Sequence, residues 1–196
     1  FVDIGAGSGH FVSALKSFGL EKVSGYEVSE TQVNLANTMI GENIVKQHAL
    51  KNVDDIVETV EAEIISMIGV LEHLQSPRQV LRALKKNNNV KYLFISVPLF
   101  SLSVYFETLF THVYHRQLSG GHTHLYTEES LKYMCKEFGL ASIAEWWFGM
   151  DIVDLFRGVY VNLARTKSSE KIIKNWQKTF LPLIDSIQLE VDKKNL

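Results

Sequence analysis

The first nine residues constrain the fold most. Residues 1–4, Phe-Val-Asp-Ile, are typical of a buried β-strand, and residues 5–9, Gly-Ala-Gly-Ser-Gly, follow it at once. Residues 10–18 then repeat apolar side chains at helical spacing. A glycine-rich turn between a strand and a helix lets a ligand approach the backbone closely, and the helix N-terminus favours polar or negative groups. This pattern predicts a nucleotide-binding turn.

Glu27 supports this interpretation. It lies about twenty residues beyond the turn, at the end of a second predicted strand, residues 22–28. A carboxylate at this position can accept hydrogen bonds from both hydroxyls of a ribose. Dinucleotide-binding turns usually read Gly-x-Gly-x-x-Gly, whereas here Gly9 comes one position sooner. The turn and the acid together predict an adenosine-containing ligand and disfavour a nicotinamide enzyme.

Strand-like and helical segments alternate along most of the chain, which is typical of an α/β domain with a mostly parallel sheet. The pattern predicts a doubly wound, Rossmann-like sheet of seven strands, at residues 1–4, 22–28, 44–48, 63–68, 92–97, 141–148 and 159–165. Helices are expected at residues 10–18, 31–39, 78–86 and 128–138. An aromatic and helical insert at about 99–126 separates strands five and six. We expect one domain at residues 1–167 and a helical tail at 168–196.

Composition narrows the functional classes. Acidic residues outnumber Lys plus Arg by two among 196 residues, so a nucleic acid partner is not expected. Cys135 is the only cysteine, which fits a reducing, cytoplasmic compartment. No apolar run reaches the roughly 18 residues of a membrane-spanning helix.

Two further expectations concern parts beyond this chain. Because Phe1 already lies within a predicted strand, we expect further residues upstream. The aromatic insert and amphipathic tail favour a homodimer.

Three motifs carry a resemblance to a known family. The first is an acid-x-Gly-x-Gly-x-Gly motif, formed by Asp3, Gly5, Gly7 and Gly9. The second is Val-Leu-Glu-His-Leu at residues 70–74, and the third is the stretch from Gly-His to Tyr-Thr at residues 121–127. Together these resemble class I S-adenosylmethionine-dependent methyltransferases, especially the ubiquinone-type and small-molecule group. The resemblance implies transfer of a methyl group from S-adenosylmethionine to a small acceptor, leaving S-adenosylhomocysteine.

The resemblance also implies a cofactor site. The residues that it assigns to this site are Asp3, Gly5, Ala6, Gly7, Gly9, Glu27, Val28, Gln47, His48, Ile68 and His73. There are two departures from the family pattern. Gln47 and His48 stand where many relatives carry an Asp that contacts the adenine, and Gly69 stands where many have a polar residue. The acceptor therefore stays open. Alternatives are methylation of a protein or RNA, or a binding module without catalysis.

An oxygen acceptor needs its proton removed, and histidine suits that task because its ordinary pKa is near 6.5. His122 is our first candidate for the base, followed by His73 and His124. Each of these could instead be a surface or hydrogen-bonding histidine. A metal site built on the histidines of the insert is a further alternative, but a zinc site needs about four ligands. We therefore predict no metal.

Overall fold

The computed structural model of the protein describes residues 1–118 and 121–194, which form two compact units. One unit contains Phe1–Pro98 with Glu129–Leu140, and the other contains Leu99–Glu128 with Ala141–Leu196. We call them the sheet unit and the helical unit. The boundary at residue 167 between a methyltransferase domain and a tail stays a prediction.

The sheet unit is built on five parallel strands in the order β3-β2-β1-β4-β5. They are β1 (Val2–Ile4), β2 (Ser24–Glu27), β3 (Val45–Gln47), β4 (Ile64–Ile68) and β5 (Tyr92–Ser96). β1 lies between β2 and β4, with Ile4 opposite Tyr26 on one side and Met67 on the other. All five strands therefore end at the same edge of the sheet, which is where parallel sheets bind ligands.

The described residues form nine α-helices. They are α1 (His10–Ser17), α2 (Glu30–Ile40), α3 (Val53–Thr59), α4 (Pro77–Lys86), α5 (Leu102–Leu109), α6 (Glu128–Phe138), α7 (Asp151–Arg165), α8 (Glu170–Phe180) and α9 (Ile184–Asp192). The helices predicted at 10–18, 31–39, 78–86 and 128–138 are confirmed as α1, α2, α4 and α6. Ser29 caps α2 by accepting a hydrogen bond from the Gln32 N–H, because its hydroxyl satisfies a donor that has no partner within the helix.

Small side chains let α1 and α2 pack closely on the sheet. Val12 and Ala36 are fully buried in a cluster with Val33 and Val45. A Cβ atom at Gly25, in the middle of β2, would lie 2.7 Å from the Ala6 Cβ. Glycine at this position is therefore required by the close packing of the first turn against the second strand.

The prediction of seven strands is wrong, because the described residues form a sheet of five. Residues 141–150, which the structure describes, form no strand, and Trp146 among them is 85% exposed. Residues 159–165 belong to α7 instead. Acidic residues in the first turn of α7 and Arg165 in its last turn both favour a helix through the helix dipole.

Packing within the helical unit explains why residues 159–165 are helical. Ile152 of α7 is buried in a cluster with Ile184 and Val191 of α9. Gly158 lets the Phe110 ring approach the middle of α7, since a Cβ atom there would lie 2.0 Å from Phe110 Cδ2. The aromatic and β-branched residues that resemble a strand therefore belong to a helix that is held by residues distant in the sequence.

Two further helices, α8 and α9, follow α7. α8 and α9 are separated by a 3₁₀ turn, Leu181–Leu183, that contains Pro182. Trp176 and Phe180 of α8 stack with ring centroids 4.4 Å apart, and both also stack on Phe156 of α7. Across residues 1–118 and 121–194, no helix combines the length and the apolar character needed to cross a bilayer.

The glycine turn gives a test of the packing. Gly9 and Gly41 both have positive φ, 78° and 80° respectively. They differ in packing, because a Cβ atom at Gly9 would lie 2.8 Å from the Ala36 Cβ, whereas one at Gly41 would meet nothing within 4 Å. We expect Gly41→Ala to lower the free energy of unfolding by about 1 kcal/mol through backbone strain alone. Gly9→Ala should lower it by about 2 to 4 kcal/mol, because overpacking adds to the strain. Chemical denaturation measures both, and equal losses would contradict the close packing.

Candidate functional site

The glycine turn is held by main-chain hydrogen bonds to β2. The Gly5 and Ala6 N–H groups both donate to the Tyr26 carbonyl, at 2.8 and 2.9 Å. Gly5, Gly7 and Gly9 all have positive φ, a region that glycine enters without strain. The chain can therefore turn sharply from β1 into α1 while its peptide groups stay paired.

Only Gly7 among the three turn glycines faces open space. A Cβ atom at Gly5 would lie 2.5 Å from Val70 Cγ2, and one at Gly9 would overlap Ala36. A Cβ atom at Gly7 would meet nothing within 4 Å. Gly5 and Gly9 are thus needed for packing, and Gly7 is the position at which a ligand can approach the backbone.

Glu27 closes the turn from the end of β2. One carboxylate oxygen accepts the Gly7 N–H at 2.9 Å, and the other accepts the Val28 and Ser29 N–H groups at 2.8 and 2.9 Å. A carboxylate offers about four acceptor sites, so these three bonds leave capacity for a ligand hydroxyl. The sequence predicted Glu27 as a ribose acceptor. The structure adds that the backbone holds its carboxylate beside Gly7.

Asp3 is buried beneath the turn in β1, with 3% of its surface exposed. Its carboxylate accepts a 2.6 Å hydrogen bond from the hydroxyl of Ser66 in β4. Burial raises the pKa of Asp3 to about 6, a rise that the Ser66 bond opposes and the charge of Glu27 increases. Asp3 therefore takes up or releases its proton near neutral pH. Sequence reasoning missed Ser66, although a serine among the apolar residues of β4 is a visible anomaly.

The other predicted cofactor residues of the sheet unit lie along the same edge. Val28 follows β2 and Ile68 ends β4, and both are exposed. Gln47 ends β3 and donates from Nε2 to the Val28 carbonyl at 3.2 Å. His48 donates its backbone N–H to the Glu27 carbonyl at 3.0 Å, and its ring meets Tyr26 edge-on. The strand ends thus bring the residues after β2 and β3 together.

His73 lies at the end of a 3₁₀ turn, Leu71–His73, that follows β4. Its side chain is exposed, whereas Glu72 beside it is 3% exposed. A Cβ atom at Gly69, which has a φ of 66°, would lie 3.7 Å from Glu72 Oε1. Gly69 therefore lets the chain turn out of the sheet above a buried carboxylate.

His122 and His124 belong to the helical unit. His122 Nδ1 lies 3.0 Å from the Gln117 carbonyl oxygen, and His124 Nδ1 lies 2.8 Å from the Thr123 hydroxyl. A carbonyl oxygen only accepts hydrogen bonds, so His122 Nδ1 is the nitrogen placed to donate to Gln117.

Comparisons with known proteins identify the class. Residues 1–145 match a family model described as a methyltransferase domain. That match covers most of the chain, so the chain belongs to this family. It is an S-adenosylmethionine-dependent methyltransferase of class I, and its cofactor is S-adenosylmethionine. No curated protein sequence matches significantly.

Solved structures share the fold. One is magnesium protoporphyrin IX methyltransferase from Synechocystis PCC 6803, solved with bound S-adenosylhomocysteine. Its sequence is 14% identical and its TM-score is 0.60, and the alignment covers 76% of this chain and 68% of that protein's chain. A methyltransferase from Archaeoglobus fulgidus is 19% identical with a TM-score of 0.51, covering 93% and 77%. The small RNA methyltransferase HEN1 is 15% identical with a TM-score of 0.55, covering 70% and 19%.

The open space above Gly7 and the carboxylate beside it fit the cofactor. A methyl group at Gly7 would fill that space, and Glu27 keeps acceptor capacity for a hydroxyl. The predictions of the family, the cofactor and the Rossmann-like parallel sheet are confirmed. The roles of individual site residues stay predictions.

The raised pKa of Asp3 predicts a pH effect on stability. The folded pKa of about 6 exceeds the ordinary aspartate value of 3.8, so between these pH values the folded protein holds a proton that the unfolded chain has released. The free energy of unfolding therefore falls as pH rises through this window, by roughly 2 to 3 kcal/mol. Asp3→Asn, whose amide oxygen can still accept from Ser66, should remove this fall and be more stable than wild type at pH 8.

Denaturation measured from pH 4 to pH 8 checks this expectation. Asp55→Asn, which changes an exposed aspartate in α3, is the matched control and should keep the fall. An unchanged pH profile in Asp3→Asn would show that another group titrates in this window.

Proposed function

We propose that this methyltransferase transfers its methyl group to an oxygen atom of a small molecule, with His122 as the general base. The observation that carries the proposal is the His122 Nδ1 contact to the Gln117 carbonyl at 3.0 Å, which orients the imidazole ring. A base of this kind is useful for a hydroxyl acceptor, whose proton must leave as the new bond forms. His73 and His124 are the next candidates for this role.

The cofactor, when bound, supplies a methyl group on a sulfonium that is already activated for in-line displacement. The chain then has mainly to hold the reactants in line. We infer that Gly7 lies against the cofactor and that Glu27 binds its ribose. The remaining residues proposed for this site are Asp3, Gly5, Ala6, Gly9, Val28, Gln47, His48, Ile68 and His73.

The acceptor class follows from charge. A protein that binds a polyanion usually has an excess of basic residues, whereas this chain has a net charge of −2. This balance favours a small acceptor, such as a phenolic ring or a nucleotide-linked sugar, over RNA. Among proteins of similar fold, one is named for a magnesium porphyrin and another for small RNA. Acceptor assays therefore need to include both kinds of substrate.

A non-catalytic cofactor-binding module is the second candidate. The observation that favours it is the replacement of the expected Asp by Gln47 and His48, together with the use of the Gln47 amide in a bond to the Val28 carbonyl.

A labelling assay separates the candidates. Radiolabelled S-adenosylmethionine is offered with each of five acceptors: catechol, hydroquinone, a uridine diphosphate sugar, bulk tRNA and casein. Label in a small molecule supports our proposal, label in tRNA or casein alone contradicts it, and cofactor binding without any transfer favours the module.

We also infer a cytoplasmic location and a homodimer. The single cysteine, Cys135 on α6, fits a reducing compartment. Leu109 and Tyr114 of the insert are exposed apolar side chains of the kind that an interface covers.

A matched pair of substitutions tests the cofactor site. Gly7 and Gly19 both have positive φ, and a Cβ atom at either would meet nothing within 4 Å. Gly7→Ala should weaken S-adenosylmethionine binding by about 10-fold or more, because its methyl group occupies space that the cofactor needs. Gly19→Ala carries the same backbone strain outside the site and should bind normally. Calorimetric titration measures both, and equal affinities would place the cofactor elsewhere.

His122→Ala tests the base. Loss of a general base typically costs about 100-fold or more in turnover, so we expect that fall with unchanged affinity for S-adenosylmethionine. His112→Ala, an exposed histidine of the same insert, is the control and should be fully active. Turnover with whichever small molecule accepts label measures the effect. Full activity in His122→Ala would move the role to His73 or His124.

A further inference from the structure

α8 carries a stripe of lysines on its outer side. Lys171, Lys174 and Lys178 are spaced three and four residues apart, so they lie on one side of the helix, and all three are exposed. Trp176 and Phe180 lie on the opposite side and stack on the same aromatic ring of α7. The aromatic side of α8 is therefore occupied by α7, and the lysine side is directed into solvent.

The turn between α7 and α8 extends this positive charge. Arg165 ends α7 and Lys167 lies in the turn, and both are exposed. Residues 165–178, which we call the basic segment, contain five basic residues and one acid, Glu170, and so have a net charge of +4. The chain as a whole has a net charge of −2. The basic segment is therefore a local patch of positive potential on a protein that is otherwise acidic.

The charges of the basic segment are largely unpaired. Lys174 pairs with Glu170 at 2.6 Å, but both side chains are exposed, and such a pair is weak. In the part of the chain that the structure describes, the other four basic side chains of the segment form no ion pair. α4 is also rich in basic residues, yet its Arg78 and Lys86 pair with acids of α6 and α3. The basic segment thus keeps its charge available for an anionic partner.

Exposed apolar side chains accompany the lysines. Ile172 of α8 is 52% exposed, and Leu181 and Leu183 in the 3₁₀ turn that follows are exposed as well. A nucleic acid offers phosphates to the lysines but no apolar layer to these side chains. An anionic phospholipid surface offers both, because acyl chains begin just beneath its headgroup phosphates. The flexible stems of the lysines also let their ammonium groups reach the headgroups. The combination favours a lipid surface.

We propose that the basic segment docks this protein on the surface of an anionic phospholipid membrane. The lysine side of α8 lies against the headgroups, with Ile172 and the following leucines at the boundary with the acyl chains. The aromatic side of α8 stays on α7, so the helix rests on the membrane and does not cross it. This docking involves neither the cofactor nor His122, so it goes beyond the proposed function and is tested separately from it.

Co-sedimentation with lipid vesicles tests the docking on the full chain, without cofactor or acceptor. Vesicles of equal parts phosphatidylcholine and phosphatidylglycerol are compared with vesicles of phosphatidylcholine alone. We expect binding to the anionic vesicles that weakens as salt is added, since salt screens exposed charges, and little binding to the neutral vesicles. Equal binding to both kinds of vesicle, or binding to neither, would overturn the proposal.

Charge removal locates the contact. A lysine near an anionic surface contributes about fivefold to the partition coefficient, so replacing the three lysines of the stripe by glutamine should lower it by about 100-fold. Replacing them by arginine keeps the charge and should preserve binding. The matched control removes three exposed lysines of the sheet unit by the same substitution: Lys22, Lys51 and Lys85. It should bind like wild type, and equal losses in the two glutamine variants would overturn docking through the basic segment.

Bulk tRNA is the parallel probe for a nucleic acid. We expect its affinity to be weak and similar in wild type and in the glutamine variant of the stripe. A tRNA affinity that falls in this variant by as much as the vesicle affinity would overturn the assignment of the basic segment to lipid.

Discussion

Three backbone N–H groups converge on the Glu27 carboxylate, and the geometry of the glycine turn depends on them. β1 and β2 are neighbouring parallel strands, so their carboxyl ends lie side by side. Glu27 joins these ends by accepting from Gly7 on one side and from Val28 and Ser29 on the other. The Tyr26 carbonyl takes the Gly5 and Ala6 N–H groups. These N–H groups are therefore paired while the space beside Gly7 stays open.

Buried carboxylates recur as organisers of the main chain. In the helical unit, Glu107 holds residues 116–118, and Asp151 accepts the Ser103 N–H at 2.7 Å. In each case backbone N–H groups replace the water that the charge has lost. Asp3 differs, because its partner is the Ser66 hydroxyl and burial dominates its environment. This difference explains why Asp3 has a pKa of about 6.

The elements that were predicted well have local causes. The glycine turn, the Ser29 cap of α2 and Pro77 at the start of α4 each act within a few residues, so their chemistry can be recognised in the sequence. The strand predicted at 159–165 was wrong for the opposite reason. Its Val, Tyr and Leu side chains suit a strand or a helix, and the packing of α7 decides between the two. The strand predicted at 141–148 was also wrong, since these residues form neither a strand nor a helix and Trp146 is exposed.

The sequence by itself determined the class of this protein, since Asp3, the three turn glycines and Glu27 form a pattern typical of the family and lie close together along the chain. Only the tertiary structure decided which of these groups are available to a ligand. Gly5 and Gly9 are used in packing, and Gly7 is open because its neighbours in space lie elsewhere. Likewise, no local pattern links Asp3 to Ser66. Their connection depends on the pairing of β1 with β4, because hydrogen bonds form between groups that are close in space, however far apart they lie in sequence.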